Sequence, residues 1–205
     1  MEIIYYLDLL GTAAFAIAGA FQGIRKQVDI FGVFIAGLLT AMGGGTIRDV
    51  FLYNKPPFWI DQIEYFYVAA IAVFATFFIP HHFAKHYHMY RFLDSVGLAV
   101  FMILGVVMAI NADMPILVVL VSGLLPAIGG GILRAVSLGD LPPYVLRTGF
   151  YAAPALIGGI LFLFLHTCGV TEHINVFISV TFTLVLRMYG SAKKWKLPKI
   201  NFKVE

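Results

Sequence analysis

The stretch Gly37-Leu-Leu-Thr-Ala-Met-Gly-Gly-Gly-Thr-Ile-Arg48 returns 86 positions later as Gly123-Leu-Leu-Pro-Ala-Ile-Gly-Gly-Gly-Ile-Leu-Arg134. The match extends without a gap in both directions. Asp8 lies over Asp94, Gly11 over Gly97, Phe15 over Phe101, Gly19 over Gly105, and Pro56-Pro57 over Pro142-Pro143. About 20 of the 53 positions from Asp8 to Ile60 are identical, far above what shared apolar composition yields, so the chain reads as an internal duplication.

The surrounding sequence says what is duplicated. Of 205 residues, 60% are hydrophobic and 12% charged, with a mean hydropathy of +0.90. Soluble domains carry roughly a quarter of their residues as Asp, Glu, Lys or Arg. Apolar runs centre near Ala13, Ala41, Ala72, Ile103, Leu124, Leu156 and Ile178. Seven spans of about 20 residues consume about 140, which leaves no polar segment large enough to fold alone. A secreted disulfide scaffold, a cytosolic enzyme and a nucleic-acid-binding module are thereby disfavoured. Continuous apolar runs require helices rather than strands. The expected fold is an all-α membrane protein with seven transmembrane helices. It forms one domain over residues 1–205, with repeats at about 3–80 and 91–167, a seventh helix at about 174–190 and a basic tail at 191–205.

Three spans per repeat is an odd number, so the second copy enters the bilayer from the opposite side and the repeats are expected to be inverted. Inverted repeats are an architecture of transporters and channels, with a pathway between the halves. Basic residues tally on one face as Arg25, Lys26, Lys85, Arg91, Arg134, Arg147 and the tail, against Arg48 and Lys55 on the other. The positive-inside rule then puts the N-terminus outside and the C-terminus in the cytoplasm. The N-terminus carries Glu2 and Asp8 in place of a basic leader region, so the first span is expected to be retained. Arg187 is counted with the tail, and the single cysteine, Cys168, reads as apolar packing.

The triplets Gly43, Gly44, Gly45 and Gly129, Gly130, Gly131 fall near the middle of spans two and five. Each glycine weakens a helix by about 1 kcal/mol relative to Ala. One reading is close helix packing through Gly37, Ala41 and Gly45. The other, which paired triplets fit better, is a discontinuous helix whose freed carbonyls line a cavity and coordinate a cation, aided by Pro126 in the second copy. Three residues beyond each triplet stand Arg48 and Arg134. They either face protein and water or snorkel from the span ends. Asp49 follows Arg48, but adjacent helix residues do not face each other, so no ion pair between them is expected. Its counterpart is Ala135. Asp8 and Asp94 fit either favourable macrodipole positions or a functional role, pairing with Arg48 and Arg134 across the repeat interface or attracting cations to a pathway mouth.

Chemistry of other kinds lacks its motifs. His82 and His86 are spaced for one helix face, but no carboxylate or cysteine joins the run from His81 to His88, so no metal site is expected. Nucleophile elbow, zincin and phosphate-loop sequences are missing, and the chain is not expected to be an enzyme or to need a cofactor.

Together, Gly43-Gly-Gly-Thr-Ile-Arg-Asp49 with Pro56-Pro57, and Gly129-Gly-Gly-Ile-Leu-Arg134 with Gly139-Asp-Leu-Pro-Pro143, resemble the prokaryotic members of the trimeric intracellular cation channel family, also described as glycine transporters. The resemblance covers nearly the whole chain. It implies a homotrimer in the cell inner membrane with one pore per subunit, permeable to potassium and sodium. Kinked spans two and five would line the pore, with Arg48 and Arg134 as basic pore residues. The family pattern often has Arg-Asp where this chain has Arg134-Ala135, which puts charge balance at that end in question. Arginine in a narrow pore repels cations, so carbonyl dipoles and water would have to offset it. A carrier for a small zwitterion such as glycine is the alternative, with the arginines binding carboxylate; a non-conducting structural protein is a third class.

Overall fold

The computed structural model describes residues 2–78, 87–141, 143 and 150–195. His81 to His86, Lys85, Pro142, Arg147 and most of the basic tail lie outside them. Every regular element among the described residues is helical: α1 (Glu2–Arg25), α2 (Ile30–Leu52), the short α3 (Phe58–Asp61), α4 (Glu64–Thr76), α5 (Tyr87–Asn111), α6 (Ile116–Ser137), α7 (Ala152–Thr167) and α8 (Glu172–Ala192). Five of them, α1, α2, α5, α6 and α8, are long and apolar enough to cross a membrane. The helices at the third and sixth expected spans are shorter, 13 residues in α4 and 16 in α7. At 1.5 Å per residue they reach about 20 and 24 Å, below the roughly 30 Å of a hydrocarbon core.

Helix ends follow from local chemistry. Asp29 caps α2 by accepting a hydrogen bond from the Gly32 backbone N–H at 2.7 Å. The chain leaves α1 at Gln27 (φ 57°) and α5 at Asp113 (φ 51°), left-handed residues 86 positions apart. The exits also share a hydrogen bond, Val28 N–H to Gly23 O at 3.3 Å and Met114 N–H to Ala109 O at 3.1 Å, which satisfies a terminal carbonyl each time.

Helix α5 is the most enclosed: 78% of its apolar window is buried, against 33–50% in the other four long helices. It packs on α1, α6, α7 and α8, whereas α8 touches chiefly α7 and α5. Phe15 of α1 and Phe101 of α5 stack at 5.2 Å in the core. Large apolar side chains such as Phe74, Phe164, Phe177 and Val185 point outward, as a lipid-facing surface requires.

The helices most closely joined are α2 and α6, and the triplets are where they meet. A Cβ on Gly44 would collide with the Pro126 carbonyl oxygen, and one on Gly130 with the Thr40 carbonyl oxygen. These are the same contact seen from each repeat, and the pairing of 44 with 126 and 40 with 130 makes the helices antiparallel. Both are continuous α-helices through their triplets, which corrects the expectation of discontinuous helices. The glycines serve close backbone approach, which their missing side chains allow without breaking the hydrogen-bond ladder. Pro126 removes one donor from α6, and the Ser122 carbonyl it would have served lies against Gly105.

Candidate functional site

Beyond the crossing, at opposite ends, α2 and α6 each carry their arginine into a buried cluster. Arg48, Asp49, Asp94 and Arg134 are each at most 5% exposed. Snorkelling to an interface is therefore not what these arginines do, and Asp94 lies more than a turn inside α5, too deep for a macrodipole position.

In the first cluster Arg48 Nη2 pairs with Asp49 Oδ1 at 2.7 Å and Nε donates to the same oxygen at 2.9 Å. This corrects the expectation that adjacent residues would not pair. After Pro56-Pro57 the chain doubles back into α3, and the Phe58 N–H donates to Asp49 Oδ2 at 2.9 Å. That fixes the carboxylate, and the long arginine bends round to reach it. Asp8 is held by the Tyr65 hydroxyl at 3.0 Å, and it feels the Arg48 charge without forming an ion pair with it. Beside it Tyr5 donates to Glu64 at 3.2 Å.

In the second cluster Ala135 offers no carboxylate, and Arg134 reaches Asp94 instead. Arg134 Nη1 and Nη2 lie 3.2 and 3.3 Å from Asp94 Oδ1, and Nη2 also donates to the Tyr90 hydroxyl at 2.8 Å. Tyr151 donates to Asp94 Oδ2 at 2.8 Å. Arg187 of α8 approaches that oxygen at 3.7 Å, donates through Nη1 to Phe150 O at 2.8 Å and stacks 4.0 Å from the Tyr151 ring centre. Counting formal charges, Asp8, Arg48 and Asp49 sum to −1, and Asp94, Arg134 and Arg187 to +1.

Asp94 pairs with Arg134 inside its own repeat, whereas the acid–arginine pairing was anticipated across the repeat interface; Asp8 and Arg48 form no ion pair. Several residues of the two clusters, Tyr90 among them, escaped the sequence. Tyr65 and Tyr151 are identical residues at the same 86-residue offset, just beyond the stretch compared, and each binds the matching aspartate. Arg187 is not a tail residue but a buried side chain of α8; a lone arginine inside an apolar span was its signal. Cys168, expected to be packed, is exposed at the end of α7.

A cavity of about 70 Å³ adjoins Arg134, walled also by Gln22, Arg25, Tyr90, Gly131 and Ala135. The Gln22 Oε1 atom is buried without a hydrogen-bond partner among the described residues. The space is large enough to hold water, and Gln22, Arg25 and Arg134 offer it polar partners. Lys26 and Asp140 bridge the neighbouring loops at 3.5 Å.

Five helices long and apolar enough to cross a membrane, with large apolar side chains turned outward, define an all-helical, multi-pass membrane protein. The glycine transporter family matches this chain twice, over residues 5–81 and 91–167. The chain belongs to that family, the one that includes the trimeric intracellular cation (TRIC) channels. It is 36% identical to the UPF0126 inner membrane protein YadS of Escherichia coli strain K12, covering 99% of this chain and 98% of that one. With the UPF0126 membrane protein YvgT of Bacillus subtilis strain 168 it shares 32% identity over 97% of each chain. One similar solved chain, described under "Structural basis for conductance through TRIC cation channels", has a TM-score of 0.86 at 30% identity and covers 98% of both chains. The TRIC channel orthologue of Rhodobacter sphaeroides has a TM-score of 0.87 at 30% identity, over 94% of this chain and 99% of that one.

Proposed function

We propose that the protein is a cation channel conducting potassium and sodium, with one pathway per subunit of a homotrimer, running between α2 and α6. It has seven spans, α3 not counting among them, as two inverted three-helix repeats plus α8, with its N-terminus outside and its C-terminus in the cytoplasm. The observation that carries this reading is the pair of buried arginine clusters at the two ends of one glycine crossing. Charge at that depth is costly and marks ion pathways in membrane proteins. The double family match and the likeness to TRIC channels support it.

The residues Gly43, Gly44, Gly45, Arg48, Asp49, Gly129, Gly130, Gly131 and Arg134 line the pathway, with Asp8 and Asp94 as charge partners. The crossing is sealed by backbone contact, so conduction requires α2 and α6 to part at the triplets. The acid-rich end, facing outside, attracts cations; the base-rich end opposes them unless Asp94 holds its arginines.

Planar-bilayer recording of the purified protein in potassium chloride gradients tests this. Unitary currents reversing near the potassium potential are expected, with Arg134→Ala changing their amplitude. A second reading, a glycine carrier, is favoured by the family's description and by the cavity beside Arg25 and Arg134. Silent bilayers together with saturable glycine counterflow in liposomes would replace the channel with the carrier.

A further inference from the structure

The matched clusters differ in one respect that the duplication does not explain. Arg48 has a carboxylate of its own in Asp49, held in place by the Phe58 N–H. Arg134 has none, and the carboxylate it uses is divided. Its guanidinium takes Asp94 Oδ1, while Oδ2 faces Tyr151 and Arg187. Arg187 belongs to the helix that has no counterpart in the duplication. Its Nε is buried without a hydrogen-bond partner among the described residues, so its charge is only partly satisfied. Two arginines around one carboxylate repel each other, and each weakens the other's hold in a poorly screened site.

We propose that Asp94 is the branch point through which α8 governs the pathway: Arg187 competes with Arg134 for this carboxylate, so the seating of α8 sets how firmly Arg134 is held. Arg187 is thus a positioning residue. When α8 is seated, the bond from Asp94 to Arg134 is shared and Arg134 is freer to move. When Arg187 withdraws, Arg134 is drawn wholly to Asp94, and the cytoplasmic end loses its excess positive charge. Helix α8 is suited to move because it packs chiefly on α7 and α5 and exposes Phe177, Val185 and Tyr189 on its outer face. The flux consequence rests on the channel reading above; the coupling between the arginines does not.

The experiment therefore has two readouts on the reconstituted or detergent-solubilised full chain. In thermal unfolding, the melting shifts of Arg134→Gln and Arg187→Gln are expected to be non-additive in the native background, because both act on one carboxylate. They are expected to add in Asp94→Asn. Should Asp94→Asn not fold, Ala135→Asp serves in its place: it gives Arg134 a local acid, as Asp49 does for Arg48, and should likewise restore additivity. In bilayers, Arg187→Gln is expected to raise potassium conductance several-fold in the native background and clearly less where Asp94 is Asn or residue 135 is Asp. Additive shifts in the native protein, or an equal conductance gain in all backgrounds, overturn the proposal and leave Arg187 a structural or remote-charge residue. A native protein that conducts nothing removes the channel reading, while the melting cycle still decides the coupling.

Discussion

At the scale of single residues, the two aspartates differ in burial more than in chemistry. Asp94 is 1% exposed and answers to two arginines and a tyrosine, whereas Asp8 is only partly buried. Replacing one member of a buried ion pair leaves its partner's charge uncompensated, at about 3–5 kcal/mol. Asp94→Asn is therefore expected to lower stability by that order, measured by thermal unfolding in detergent. Tyr151→Phe and Tyr65→Phe remove matched hydrogen bonds to a carboxylate, worth about 1.5–3 kcal/mol where fully buried. The loss should be greater for Tyr151; equal losses would mean that solvent reaches both aspartates alike. The matched acids and arginines were legible in the sequence, because a duplicated charge in an apolar span stands out. Their partners were not, because the choice between Asp49 and Asp94 depends on one residue, Ala135, and on where the loop after α2 returns.

At the scale of helices, the crossing of α2 and α6 is a backbone contact. A methyl group at Gly130 meets the Thr40 carbonyl oxygen, which cannot yield without moving a helix; one at Gly43 meets only the Leu133 side-chain end. Overpacking of this kind costs about 1–3 kcal/mol. Gly130→Ala is expected to show that loss in thermal unfolding and Gly43→Ala clearly less; the reverse order would mean that the helices do not cross at these residues. The N-terminus of α2 rests on Asp29, and Asp29→Ala should lower stability by about 1 kcal/mol in the same measurement. The positions of α1, α2 and α4 to α8 were legible from hydropathy, because lipid forces backbone groups into local hydrogen bonds. Continuity through the triplets was not, because the same glycines serve a break or a close approach and only the neighbour decides which. The triplets met a neighbour: each packs against the other repeat's backbone.

At the scale of the whole molecule, orientation can be tested with the native chain, since Cys168 is its single cysteine and is exposed in the connection between α7 and α8. With the N-terminus outside, that connection faces outward. A membrane-impermeant maleimide is expected to label Cys168 on intact cells, and to spare a cysteine placed at Lys193 in a Cys168→Ser background. Labelling of position 193 alone would reverse the topology.

The sequence by itself determined that this is an all-helical membrane chain, that it is duplicated at an offset of 86, and that arginines and aspartates lie in its apolar spans. Composition and periodicity carry such information, because insertion into lipid and repeat identity are properties of the chain before it packs. Only the tertiary structure decided that Arg48 takes its own neighbour while Arg134 crosses to α5, that Arg187 joins it from α8, and that the glycine triplets seal a helix crossing. Those outcomes depend on which groups are brought within a few ångströms of each other in a medium where unpaired charge is costly, and sequence separation does not encode that distance.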